Sequence, residues 1–343
     1  MATLTKFTVY KWSGLNDVAE GTEGHGRVKT FIESINWDAL CQYASKLRNG
    51  ESCTIDPDID MGGVHMIRII TFSDGTRWIA RLRTRFFNND DDNERDVALV
   101  SFMEQQEIDC IHLVRERTNV PVPAVYGYNV HPDNAVGASF MLMECLPGNT
   151  AMNIDPDIPP RHRVSFFADM ARFQTAISSI QFPKIGSIIR LQDGTYDIGP
   201  IPKLGGPFNT ATECLTALAD NVKFGCPIEG MRAICGDSSD EIAAHIRDFT
   251  VRLKSLAASI PTRNHGAFPL CHIDFGHHNV IVDDDYNALG AIDWEHACTL
   301  PWEVVDFPMT LSITLAPMAA PTLYDKKVVP KDATVRETII DRK

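Results

Sequence analysis

The sequence predicts an α+β protein of two lobes, a small β-rich first lobe followed by a mostly helical second one. Three observations carry this expectation. The turn signal Ser73-Asp74-Gly75-Thr76 separates two strand-like runs, Met66 to Phe72 and Arg77 to Arg83. The apolar run Phe140 to Met143 leads into Glu144-Cys145-Leu146-Pro147-Gly148, a strand that ends in a turn. Past Thr150 the apolar residues recur at helical spacing. With 343 residues, 44% hydrophobic and 22% charged, the chain is long enough to bury the core that two lobes need.

Residues up to about 50 are mixed, with one short helix expected at Trp37 to Leu47, where Trp37, Leu40, Tyr43 and Leu47 share a face. Gly62-Gly63 then precedes the first strand-like run. In the second run Trp78, Ala80 and Leu82 share one face, while Arg77, Ile79, Arg81 and Arg83 share the other. The Asp-Gly turn between the runs predicts a type I′ hairpin. A glycine bend beside a strand bearing a cation suits nucleotide phosphates, because glycine lets the backbone approach and the cation offsets their charge.

The acidic run Asn88 to Asp96 reads as a solvated loop or helix start. Glu107 to Thr118 reads as a helix ended by Asn119 and Pro121-Val122-Pro123. Pro159-Pro160 opens a further helix whose core face is Val164, Phe167, Met170, Phe173 and Ala176. Phe182 to Gly206, rich in Pro and Gly, reads as a long loop or small hairpin near the site mouth. A helix beginning near Ser238, with Glu241 completing a capping box, carries Ile242, Ile246, Phe249, Leu253 and Leu256 on one face.

The most informative stretch runs from His272 to Glu295. Asp274 and Asn279 lie in a turn-rich segment, Val280 to Val282 form a strand, a loop of Asp283, Asp284, Asp285 and Asn287 reverses it, and a second strand carries Asp293. Two carboxylates and an amide therefore meet at the open ends of one hairpin. Phosphoryl transfer needs that set, since magnesium takes hard oxygen ligands while a separate carboxylate accepts the proton of the attacking hydroxyl. Another reading gathers His272, Asp274, His277 and His278 around zinc or iron. It leaves Asn279 and Asp293 without a role, and adjacent histidines point apart on an extended chain.

His272-x-Asp274-x-x-x-x-Asn279, followed by Ile292-Asp293-Trp294-Glu295, resembles the aminoglycoside phosphotransferase and choline kinase family, a small-molecule branch of the protein-kinase-like fold. The continuation Glu295-His296-Ala297 and Pro301 to Pro308 resembles a fungal group within it, and the resemblance spans about residues 35 to 310. It implies a first lobe over 1–142, a hinge over 143–149 and a helical second lobe over 150–343. It implies that Asp274 is the catalytic carboxylate, that His272 braces its loop, and that Asn279 and Asp293 hold magnesium. Gly62 and Gly63 would cover the phosphates of ATP. Arg81 would stand where the family has a lysine, paired with Glu107; Arg83 and Glu104 are the rivals. The Glu144 carbonyl and the Leu146 amide would bind the adenine, with Met143 against its ring.

The implied reaction moves the γ-phosphoryl group of ATP, with magnesium, to a hydroxyl of an aminoglycoside-, choline- or metabolite-like molecule. A nucleotide-binding pseudoenzyme, or a biosynthetic enzyme of secondary metabolism using the fold for another reaction, are the alternatives. A protein kinase is not expected, because no activation-loop signature ending in Ala-Pro-Glu is present. The net charge of −13 argues against nucleic acid as a partner and favours cationic substrates by steering. The nine cysteines are scattered without a Cys-x-x-Cys pair, and no apolar stretch approaches the ~20 residues of a membrane span, so a cytoplasmic protein is expected. Residues 309 to 343 are short for the family's last helices and are expected to be partly disordered.

Overall fold

The computed structural model describes residues 7–12, 20–84, 97–154, 158–222 and 239–305. Two helices come first, α1 (Glu23–Ser34) and α2 (Trp37–Leu47). Thr22 caps α1 by accepting from the His25 amide, and Asn36 caps α2 by accepting from the Ala39 amide. The sequence announces α2 but not α1, whose only buried residues are Val28 and Phe31.

A five-stranded antiparallel sheet follows, in the order β1-β2-β3-β5-β4: β1 (Cys53–Met61), β2 (His65–Phe72), β3 (Arg77–Arg83), β4 (Val125–Asn129) and β5 (Phe140–Glu144). Strand β1 escapes a pattern search because Asp56, Pro57, Asp58 and Asp60 interrupt it. The structure accommodates Pro57 at an edge strand, inside an irregularity where the register shifts between Ile55 and Ile59. The β2–β3 turn also differs from expectation. Of its residues only Gly75 has a positive φ, 83°, so it is not type I′. Phe72 and Thr76 close a three-residue loop with Gly75 in the left-handed place. Trp78, Ala80 and Leu82 face a core shared with Leu40, Ile70 and Leu142, which leaves Ile79, Arg81 and Arg83 on the opposite face.

Helix α3 (Val97–Arg117) starts well before the expected Glu107 and lies against that opposite face. Beyond β5 come β6 (Asn149–Thr150), the single turn α4 (Ala151–Ile154), α5 (Pro160–Ser179), β7 (Gln181–Phe182), β8 (Gly186–Arg190), β9 (Tyr196–Gly199), α6 (Ala211–Asn221) and α7 (Ser239–Leu256). The chain continues through β10 (Phe268–Cys271), β11 (Val280–Val282), β12 (Ala288–Ala291) and β13 (Cys298–Thr299). These strands form two small sheets, β7-β10-β13-β8-β9 and β12-β11-β6.

On α5 the core face is Phe166, Met170, Phe173 and Ile177, whereas Val164 is 83% exposed, so the expected stripe is displaced at its N-terminal turn. The 182–206 segment is a hairpin, but it packs on α3, where Asp109 accepts from the Arg190 amide at 2.8 Å, and it lines no part of the cleft described below. On α7 Phe249 and Leu256 are exposed, so only part of the expected stripe is covered. The Asn88 to Asp96 run, Ser238 and the 309–343 tail lie outside the described residues. No described helix is long and apolar enough to cross a membrane.

Candidate active site

Strand β10 delivers the chain to His272, which is 1% exposed. Its ring lies 4.5 Å from that of Trp294, and Nε2 donates to the Ile292 carbonyl at 3.0 Å, tying this loop to the residue before Asp293. Burial lowers the pKa of His272, so the ring is held neutral and its single proton serves that bond. Ile273 comes next with φ 74°, a left-handed conformation that strains a β-branched side chain. Asp274 is exposed and holds two neighbours: His278 Nε2 at 3.1 Å from Oδ1, and Asn279 Nδ2 at 3.1 Å from Oδ2.

The Asn279 amide also donates to the Asp274 backbone carbonyl at 2.9 Å. Both of its partners only accept, so nitrogen faces Asp274 and Oδ1 is left as an acceptor. The Asn279 carbonyl accepts from the Ile292 amide at 2.9 Å, which fixes Asn279 beside the end of β12. At the far end of the hairpin the buried Asp283 accepts from the amides of Asp285 and Asn287, both at 3.0 Å, closing the turn. Gly276 leaves room for the His278 ring, which a Cβ there would force to turn away. Asp293 has φ 63°, a region that aspartate tolerates better than most residues.

From the first sheet, Arg81 reaches two carboxylates at once. Nη1 lies 2.5 Å from Glu107 and Nη2 lies 2.6 Å from Asp293. Two residues on, Arg83 meets Glu295 at 3.0 Å. Burial disfavours the charge on Arg81, but Glu107 and Asp293 outweigh it and raise its pKa further. Burial raises the pKa of Glu107 in turn, against the pull of Arg81. Behind this pair the Ser139 hydroxyl donates to Glu104 at 2.9 Å, while the other oxygen of Glu104 meets no described partner and borders a cavity of about 10 Å³. Burial pushes the Glu104 carboxyl up to about 7, opposed by Ser139 and Arg83. His65, also buried there, is driven neutral by burial and by Arg81 and Arg83.

These parts enclose a cleft of about 260 Å³. Gly62 and Gly63, at the β1–β2 turn, line it together with Arg81, Glu107, Met143, Glu144, Leu146, Asn279 and Asp293; Ile67, Ile79, Ile281 and Ile292 supply apolar walls. His272 and Asp274 do not line it: the first is buried behind Asp293, the second exposed beyond Asn279. Among the described residues no three His, Cys, Asp or Glu side chains gather as metal ligands, so the zinc or iron arrangement of His272, Asp274, His277 and His278 is not formed. The sequence reading missed Tyr10 and Trp12, which also line the cleft. They sit in a stretch whose periodicity carries no signal.

The model of the phosphotransferase enzyme family matches residues 69–315. No curated protein matches the chain. Among solved structures, the chain is similar to a protein of Ralstonia eutropha JMP134 described as an aminoglycoside phosphotransferase, at 15% identity over 78% of this chain and 67% of that one, TM-score 0.47. It is also similar to a thermostable mutant of aminoglycoside phosphotransferase APH(4)-Ia in ternary complex with ADP and hygromycin B, at 15% identity over 76% and 72%, TM-score 0.46. A third is macrolide 2′-phosphotransferase MphH from Brachybacterium faecium, at 15% identity over 77% and 74%, TM-score 0.39. With the family model matching residues 69–315 of the 343, this chain belongs to the phosphotransferase enzyme family.

Proposed function

We propose that the chain transfers the γ-phosphoryl group of ATP, with magnesium, to a hydroxyl of a small molecule. One observation carries the reading: Arg81, Glu107, Asn279 and Asp293 share a cleft beneath the Gly62-Gly63 turn. The donors fit the metal, because magnesium keeps most of its waters and takes one or two protein oxygens beside the phosphates. Asp293 offers a carboxylate and Asn279 its Oδ1. When bound, magnesium neutralises charge on the phosphate oxygens. Arg81 neutralises more of it, oriented by Glu107. The base lies along Met143, with the Glu144 carbonyl and the Leu146 amide as its polar partners. Asp274, 55% exposed in its side chain, orients the acceptor hydroxyl and takes its proton, and His272 keeps its loop in register with Asp293.

The excess of acid, −13 overall, favours an amine-bearing acceptor by steering. Kinship with the fungal group and a part in secondary metabolism rest on the sequence pattern alone. The test is calorimetric binding of ATP with and without magnesium to wild type and Asp293→Asn, then ADP release with a panel of hydroxylated amines. Magnesium-dependent binding that weakens in the variant, with acceptor-stimulated ADP release that Asp274→Asn lowers by about 10²–10⁴-fold, is the expected result. Binding without any release would turn the reading to a pseudoenzyme; no binding would remove it.

A further inference from the structure

Residues 7–12 form a strap along the outside of the hinge, and the way it is fastened shows a built feature. Asn149, 3% exposed, donates from Nδ2 to the Val9 carbonyl at 2.9 Å and accepts the Lys11 amide on Oδ1 at 2.6 Å. The two ends of a buried amide are thus both taken up by strap backbone, and removing the strap would leave them unpaired in the interior, which is costly. The Tyr10 hydroxyl donates to the Leu146 carbonyl at 3.2 Å and lies 3.1 Å from Cys145 Sγ. Arg77, on β3, covers the Tyr10 ring at 5.3 Å, and Thr8 donates to Asp284 at 2.5 Å. The strap is therefore fixed to β3, to the hinge and to the β11–β12 loop together.

Its inner side faces the cleft. Tyr10 and Trp12 line the same space as Met143, Leu146 and Ile281, with their two rings 5.3 Å apart. An aromatic surface sharing a cleft with apolar side chains is an arrangement that holds a planar base. We propose that the strap is a wall of the nucleotide site, with Trp12 in contact with the base and with Tyr10 and Asn149 as positioning residues that hold it there. This rests on the reading of the cleft as an ATP site.

The experiment is calorimetric titration of ADP into wild type, Trp12→Ala, Trp12→Phe and Tyr10→Phe, each checked by its unfolding temperature. Trp12→Ala is expected to weaken ADP about 5- to 100-fold without changing the unfolding temperature, the range that removal of an aromatic face from a base produces. Trp12→Phe recovers most of the loss. Tyr10→Phe moves affinity the same way by a smaller factor and leaves the magnesium dependence of binding intact. Tryptophan emission supplies a reading that does not depend on the alanine variant: ADP perturbs it in wild type and less in Trp12→Phe. Equal ADP affinity in wild type and Trp12→Ala, or equal emission changes in wild type and Trp12→Phe, overturns the wall. If wild type itself fails to bind ADP, the ATP reading falls first and takes the strap's role with it.

Discussion

Arg81 answers to two carboxylates through two different nitrogens, a task set by the guanidinium fork. A lysine has one ammonium and cannot hold Glu107 and Asp293 in the same geometry. Arg81→Lys is therefore expected to keep the charge yet weaken ATP binding by roughly 10- to 100-fold, the worth of one charged hydrogen bond, measured by calorimetry. Glu104 makes a pH prediction. Its carboxyl, ordinarily near 4.5, is raised to about 7 by burial. Between those values the folded chain holds a proton that the unfolded chain has released, so stability falls as pH rises through that window and levels off above it. Glu104→Gln keeps an oxygen for the Ser139 hydroxyl and removes the titration. It should match wild type below pH 4.5 and exceed it above pH 7 by up to about 3 kcal/mol, read from denaturant unfolding across pH.

Among the elements, the β5–β6 connection depends on a single glycine, Gly148. A Cβ at Gly148 would collide with the Val282 carbonyl and crowd Ile281 and Leu289, so β5 joins β6 only because this position has no side chain. Gly148→Ala should destabilise by about 1–3 kcal/mol through overpacking, seen as a lower thermal midpoint. Which elements were legible follows from their physics. The β2–β3 hairpin, α2 and the β11–β12 hairpin carry strong period or turn signals, and the structure has each of them, although β12 ends at Ala291 and Asp293, expected on that strand, lies beyond it with a left-handed backbone. Strand β1 is hidden because an edge strand can carry Pro57 and three aspartates, its pairing to β2 breaking after Ile55 and resuming at Ile59. Arg81, Glu107, Asn279 and Asp293 stand out in the sequence through their resemblance to a family pattern, and all four line the cleft. Tyr10 and Trp12 do not stand out, because any aromatic pair in an irregular segment looks alike until a fold brings it to a cleft.

At the scale of the whole molecule, Arg81 and Arg83 on one sheet meet Asp293 and Glu295 on the other side of the cleft, two rungs of opposite charge that hold the halves at one separation. Arg83 and Glu295 are each 11% exposed, so removing one leaves a largely covered charge without its partner. Arg83→Met and Glu295→Leu should each cost about 1–3 kcal/mol, while the double variant recovers much of that loss; a double-mutant cycle in denaturant measures it.

The left-handed backbone at Ile273 has a bearing on how this chain responds to selection. An exposed β-branched residue held at φ 74°, between His272 and Asp274, stores strain that glycine would release. Ile273→Gly should thus raise the thermal midpoint by a few degrees, corresponding to about 1 kcal/mol of relaxed strain, while loosening the loop that carries Asp274. A library screened only for heat resistance would then enrich substitutions at this position and, on the role proposed for Asp274, drift away from catalysis, so that the hardiest descendants would be the least useful ones.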